Sequence, residues 1–115
     1  MLNYRDKSIL FQIIKRCDRV LDKVLFVIQE EFNSNDDLKE IVSFNLFQIG
    51  ELSNWLSNEF IAKYNEVPWK QIKGMRNRIV HGYDAINLDI IWDTAQISIP
   101  SLKEYCLEIL ELVKC

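Results

Sequence analysis

Residues 9–28 read ILFQIIKRCDRVLDKVLFVI, a stretch in which apolar side chains recur every three or four positions. This period places apolar groups along one side of an α-helix. The positions that recur are Ile9, Ile13, Cys17, Val20, Val24 and Ile28. They predict a long first helix, which the polar run at residues 33–37 ends. Ser34 or Asn35 can cap the exposed amides of a second helix that begins near Asp36.

The predicted second helix carries two apolar faces. One consists of Leu38, Ile41, Asn45, Ile49, Leu52 and Leu56, and the other of Phe44, Phe47 and Trp55. A helix of a small bundle rarely buries both faces, and a large exposed apolar patch favours association. We therefore expect the second face to pack against another copy of the protein in a homodimer. Burial of this face in the protein's own core is the alternative.

Two further helices are predicted. Pro68 suits the first position of a helix and Gly82 the position just past its end, which predicts a short third helix over residues 68–81. A fourth helix is predicted over residues 88–113, and Pro100 is expected to kink it because proline has no amide hydrogen to donate. Short connections between these helices predict an all-α, up-and-down four-helix bundle.

Composition is consistent with one soluble domain over residues 1–115. Hydrophobic residues make up 49% of the chain and charged residues 27%, and three glycines and two prolines are too few for a β-sandwich or barrel. No stretch approaches the ~18 apolar residues of a membrane span, and the N-terminal sequence MLNYRDKSIL lacks the apolar core of a signal peptide. We expect a cytoplasmic protein that does not enter a membrane.

Three cysteines and one histidine exclude several kinds of site. Cys17, Cys106 and Cys115 are widely spaced, which fits neither a disulfide framework nor a CxxC metal site. We expect reduced thiols. A single histidine without paired cysteines cannot assemble the usual zinc sites within one chain. We predict no metal and no cofactor.

A basic window spans residues 67–83, VPWKQIKGMRNRIVHGY, and contains no acidic residue. It carries a charge of +4, whereas the whole chain carries −3, so the remainder carries −7. Its cations are Lys70, Lys73, Arg76 and Arg78. They can attract a phosphate backbone locally. A solvated basic helix face is the alternative.

His81, the single histidine of the chain, lies in this window at the predicted C-terminus of the third helix. The negative end of a helix favours the protonated imidazole, which suits a group that transfers protons. A structural histidine is the alternative.

The order of these residues matches a known motif. Arg76, His81 and Tyr83 fit the Arg-x4-His-x-Tyr pattern of the HEPN superfamily, and GMRNRIVHGY closely resembles its form in the HepT ribonuclease toxins. The segment LFQIGELSNWLS resembles the second helix of that family, including a glutamate. The resemblance extends over most of the chain and implies a metal-independent endoribonuclease.

The resemblance also assigns roles to the motif residues. RNA supplies its own nucleophile, the 2′-hydroxyl, so the protein must move protons, neutralise charge and align the attack. We assign His81 the proton transfer and Arg76 the phosphate clamp, because a guanidinium offers a planar fork of donors. Asn77 can orient either group.

One copy of the motif does not converge easily, because Arg76 and His81 lie about 140° apart around an ideal helix. Either the helix unwinds near His81, or two motifs meet across the symmetry axis of a dimer. The dimer would supply a second histidine, so that one acts as base and the other as acid.

Tyr83 and Glu51 each have several interpretations. The Tyr83 hydroxyl can contact substrate, or the ring can plug the end of the bundle. The resemblance implies instead that a partner minimal nucleotidyltransferase, the antitoxin, adenylylates Tyr83 and so adds negative charge beside the motif. Glu51 shares a side of its helix with Phe47 and Trp55, an unusual place for a carboxylate unless a motif arginine pairs with it. A surface charge is the alternative.

Two other functions stay open. HEPN domains also serve as inactive nucleotide-binding or partner-binding subunits of nucleotidyltransferase complexes, and a dimeric scaffold without nucleotide chemistry is the third possibility. The complete set of Arg76, Asn77, His81 and Tyr83 favours the enzyme, because a scaffold has no evident need for all four.

Overall fold

The computed structural model of the chain describes residues 2–79 and 88–111, with only the backbone described at Arg78 and Ile79. The long segments are α1 (Tyr4–Val24), α3 (Asp36–Asn54), α5 (Trp69–Ile79), and a last segment of α6 (Leu88–Asp93), a π-helical turn (Thr94–Ser98) and α7 (Ile99–Ile109). Two short helices lie between them, α2 (Gln29–Ser34) and α4 (Asn58–Lys63). This part of the chain contains no β-strand. The predicted all-α bundle is confirmed.

Helix α1 begins after Asn3, whose side-chain oxygen accepts a hydrogen bond of 2.7 Å from the Asp6 amide. The Asp6 carboxylate is buried and accepts hydrogen bonds from Asn3 Nδ2 (2.9 Å), the Ser57 amide (2.9 Å) and Ser57 Oγ (2.7 Å). Because Ser57 in turn caps α4, the hydrogen bonds of Asp6 link the start of α4 to the start of α1.

The prediction that the first helix continues to the polar run was wrong, because α1 ends at Val24. The backbone of Phe26 has a φ of 61°, a left-handed conformation that interrupts the helix. Helix α2 then begins at Gln29 as a separate element. The predicted start of the next long helix is confirmed, since Asn35 caps α3 by accepting a hydrogen bond of 3.0 Å from the Leu38 amide.

Helix α3 lies between α1 and α5 and packs against both. Its buried residues include Leu38, Val42, Asn45, Leu46 and Ile49. The Asn45 side chain donates to the Ile41 carbonyl (2.8 Å) and accepts from Arg16 Nη1 (3.2 Å), so its polar atoms have partners. Phe44 and Trp55 are 53% and 60% exposed, which excludes their burial in the protein's own core.

The last helical segment contains a π-helical turn that ends two residues before Pro100. Its Ile99 amide donates to the carbonyl of Thr94, five residues earlier, where an α-helix would use the fourth. The irregularity predicted at Pro100 therefore takes the form of a π-helical turn that precedes it. Helix α7 ends at Ile109, and Glu111 adopts a φ of 60°. The prediction that this helix continues to residue 113 was wrong, because residues 110 and 111 form a turn.

Helix α7 packs against α1, and both helices bury a thiol at this contact. Burial raises the pKa of Cys106 to about 12. Burial also raises the pKa of Cys17, to which the neighbouring Cys106 adds. Both cysteines are free, as predicted, and Cys115 lies outside the described residues. None of the described helices has the length and apolar character that a membrane span requires.

Candidate functional site

An ion pair joins α3 to the basic helix α5, since Nε of Arg76 contacts Oε1 of Glu51. The side chains are 42% and 34% exposed, so the pair lies at the surface end of the helix contact. Arg76 Nε itself is shielded from solvent, which makes Glu51 its partner in place of water. The structure therefore brings Glu51 to an arginine of the motif, the arrangement that the paired interpretation of Glu51 requires.

Gly50 explains why α3 and α5 approach so closely at this pair. A Cβ atom at Gly50 would lie 2.9 Å from the Arg76 amide nitrogen, 3.1 Å from the Arg76 Cβ and 3.3 Å from the Ile72 carbonyl oxygen. Contacts under 3.0 Å to backbone atoms are not tolerated, so only glycine allows this spacing. The position of the Arg76 backbone thus depends on the residue that precedes Glu51.

Sequence reasoning did not identify Gly50 as a site residue. Two signals were available. A glycine inside a helix lowers its stability by roughly 1 kcal/mol relative to alanine, and this glycine immediately precedes Glu51. Gly74 has the same helical setting but a different environment, because a Cβ there would meet nothing within 4 Å.

Arg76 keeps its other guanidinium nitrogens for further contacts. Its Nη1 lies 3.4 Å from Oδ1 of the exposed Asn77, a long hydrogen bond between neighbouring residues. The guanidinium is therefore fixed through Nε, while the side chain stays partly exposed to an approaching anion. This geometry suits a group that holds a phosphate oxygen.

The remaining cations of the basic window lie along α5. Lys70 is exposed and Lys73 is half-buried, and their spacing from Asn77 places all three along one side of the helix. Arg78 belongs to α5, and the structure describes only its backbone. His81 and Tyr83 lie outside the described residues. The structure thus brings together Glu51, Arg76 and Asn77 and leaves the rest of the motif as a prediction.

The exposed aromatic residues of α3 form a second feature beside this pair. The α3 aromatic face, defined as Phe44, Phe47 and Trp55, includes a ring one helical turn beyond Glu51. Two guanidinium groups of α1 lie 5.6 Å from ring centroids of this face, Arg5 over Trp55 and Arg16 over Phe44. Cations at this distance are attracted to the faces of aromatic rings.

Metal-ligating side chains do not cluster in the described part of the chain, where no group of three histidine, cysteine, aspartate or glutamate residues could hold an ion.

Comparison with known proteins supports the resemblance seen in the motif. The model of the family described as ribonuclease HepT-like matches residues 6–109. A protein of Caldanaerobacter subterraneus subsp. tengcongensis named "Putative RNase" is 35% identical over 102 residues, which cover 89% of this chain and 91% of the relative.

Two further relatives match a larger and a smaller part of the chain. One from Methanocaldococcus jannaschii, also named "Putative RNase", is 30% identical over 85% of this chain and 90% of its own length. One from Thermococcus cleftensis, named "Probable ribonuclease HepT", is 36% identical over 48% of this chain and 50% of its own length. No solved structure gives a significant match.

Proposed function

Because the chain belongs to the HepT-like ribonuclease family, we propose that it is a metal-independent endoribonuclease toxin that cleaves RNA in the cytoplasm through Arg76 and His81. The observation that carries this proposal is the ion pair between Glu51 and Arg76, supported by the close approach at Gly50. A partly exposed arginine held this firmly is suited to bind a phosphate in a defined position.

In the proposed reaction, the 2′-hydroxyl of a ribose attacks the adjacent phosphorus and the 5′-oxygen leaves. His81 takes or supplies the proton, and Arg76 neutralises the negative charge that develops on the phosphorane oxygens. Glu51 fixes the Arg76 guanidinium, and Asn77 orients it from the next position. Lys70, Lys73 and Arg78 add positive charge that attracts the RNA backbone to α5.

We propose that the active form is a homodimer formed through the α3 aromatic face. Phe44 and Trp55 are large apolar residues exposed on one side of α3, and contact with a second copy would bury them. This face also carries Glu51, so dimerisation would bring the motifs of two copies close to each other. One His81 would then act as base and the other as acid.

Regulation of the toxin would act at Tyr83. We propose that a minimal nucleotidyltransferase partner, the antitoxin, adenylylates this residue. The added phosphate places negative charge two residues from His81, where it repels the RNA backbone.

The decisive test is cleavage of a mixed RNA pool in the presence of a chelator, comparing the parent protein with a folded His81→Ala variant. We expect cleavage by the parent alone, with 2′,3′-cyclic phosphate and 5′-hydroxyl ends. Mass spectrometry of Tyr83 first establishes that the purified protein carries no AMP. Absence of cleavage by unmodified parent protein would favour the alternative, an inactive nucleotide-binding or partner-binding subunit of a nucleotidyltransferase complex.

Subunit mixing tests the shared site. We expect Arg76→Ala and His81→Ala subunits to be inactive alone, and a mixed population should regain cleavage if one site draws residues from both copies. No recovery, with mixed dimers demonstrated, would assign each site to a single chain.

A further inference from the structure

The exposed side of α1 carries alternating aromatic and lysine side chains that neither the fold nor the motif uses. The α1 outer face, defined as Tyr4, Lys7, Phe11 and Lys15, follows steps of three and four residues, so its members share one side of the helix. Tyr4 is 88% exposed and Phe11 is 46% exposed. Both lysines are exposed, and neither forms an ion pair with a described residue.

The charge around this face is positive although the chain as a whole is acidic. Residues 2–17 contain four basic residues and one acidic residue, Asp6, in a chain whose net charge is −3. Asp6 is 2% exposed, and its carboxylate is occupied by hydrogen bonds from Asn3 and Ser57. Its negative charge therefore neutralises little of the positive charge of the lysines on the outside of the helix.

Two shallow surface grooves border this face. The first, of about 420 Å³, is lined by Tyr4, Lys7, Ser8, Phe11, Gln12 and Lys15. The second shares Tyr4, Ser8 and Gln12 with it and continues to Leu52 and Trp55 on α3. Trp55 lies one helical turn beyond Glu51, the partner of Arg76. The first groove thus lies wholly on α1, and the second joins this face to the end of α3.

We propose that the α1 outer face and the first groove bind unpaired RNA that the proposed site cleaves. Exposed rings stack on bases that are free of a duplex, and interspersed lysines contact the phosphates between them. Tyr4 and Lys15 are eleven positions apart, about 16 Å along a helix, which is enough for a few nucleotides. The inference rests on the proposed function and specifies its substrate as single-stranded RNA.

Direct binding measurements test this proposal. Fluorescence anisotropy with a short, unstructured, labelled RNA is measured on the full chain carrying His81→Ala, so that the probe is not cleaved. Tyr4→Ser and Phe11→Ser are each expected to weaken binding about tenfold. Lys7→Gln and Lys15→Gln should each reduce the slope of log affinity against log salt by about 0.7. A hairpin of the same length should bind more weakly than the unpaired RNA.

Matched controls come from the last turn of α1 and from the residues just after it. Phe26→Ser removes a ring that is 94% exposed, and Lys23→Gln removes a cation from the last turn of α1. Neither should change the affinity. Circular dichroism and sedimentation of each variant establish that fold and oligomeric state match the parent.

The outcomes separate this proposal from the proposed function. Cleavage by the parent together with unchanged binding by all four variants would overturn the role of the α1 outer face and leave the ribonuclease intact. Reduced RNA binding by the α1 variants, together with no cleavage by the parent, would support the binding face and overturn the proposed ribonuclease activity. Equal losses in the controls, no RNA binding by the His81→Ala protein, or a changed oligomeric state in the α1 variants would each overturn the proposal.

Discussion

The contact between α3 and α5 and the contact between α1 and α7 each contain an ion pair, but they differ in the residues that lie between the helices. The first contains a glycine and a charge pair, Gly50 and Glu51 with Arg76. The second contains the buried thiols Cys17 and Cys106, and its ion pair is between two partly exposed residues, Asp18 and Lys103, at 2.6 Å. A glycine contact brings backbones together and positions a charged group, whereas a filled apolar contact mainly stabilises the fold. Substitutions in the two contacts should therefore separate stability from activity.

The largest loss of stability is expected in α7. Ile99 is fully buried, so Ile99→Ala should lower the free energy of unfolding by about 2–5 kcal/mol. Urea denaturation measures this change. Cleavage per folded molecule should stay near that of the parent, and a clear fall in a fully folded sample would show that this contact also shapes the active site.

Gly50→Ala should affect both properties. The added Cβ must displace the Arg76 backbone, at a cost of about 1–3 kcal/mol in stability, and cleavage should fall by up to about 100-fold because the guanidinium moves. Gly74→Ala is the matched control, since its Cβ meets nothing within 4 Å. It should raise stability by about 0.5–1 kcal/mol and leave cleavage unchanged. Similar behaviour of the two variants would contradict the positioning role of Gly50.

A smaller change in stability is expected when the Arg76 ion pair is removed. Because both partners are more than a third exposed, Glu51→Gln should lower stability by less than about 1 kcal/mol. Cleavage should nevertheless fall, chiefly in kcat, because Arg76 is no longer held in place. Asp18→Asn removes the ion pair of the other contact and should leave kcat unaltered. Equal kcat values for Glu51→Gln and the parent would argue against a role for the pair.

The buried thiols should affect only the alkaline limit of stability. Burial raises the pKa of Cys106 to about 12 from an ordinary value of 9.0. The unfolded chain releases this proton above about pH 9 while the folded chain keeps it, so the stabilisation is present below that pH and is lost as the pH rises towards 12. The free energy of unfolding, measured across this range, should fall less steeply in Cys106→Ala. Parallel profiles would contradict the assignment.

The elements that local sequence signals specify were predictable. The three- and four-residue period located the buried side of α1, Asn35 marked the start of α3, and a carboxylate on an apolar side predicted a partner for Glu51. The break at Phe26 was not predictable in this way, because the apolar period continues across it and neither glycine nor asparagine marks the left-handed residue.

Features that depend on a neighbouring helix were also missed. The role of Gly50 depends on its contact with α5, and the sequence alone does not predict which helix packs against which glycine. The same holds for Arg5 and Arg16, whose contacts with the rings of Trp55 and Phe44 join positions that are far apart in the chain.

The π-helical turn at Thr94–Ser98 keeps the buried side of the last helical segment aligned. Its buried positions are Ile91, Ala95, Ile99, Leu102 and Cys106. Four residues rotate an ideal α-helix by about 400°, so each four-residue step moves the apolar side about 40° around the axis. The slower winding of a π-helical turn reverses this drift. Without the turn, the two four-residue steps from Ile91 to Ile99 would move the apolar side by about 80°, so the turn is what lets Ile91 and Ile99 share one buried side.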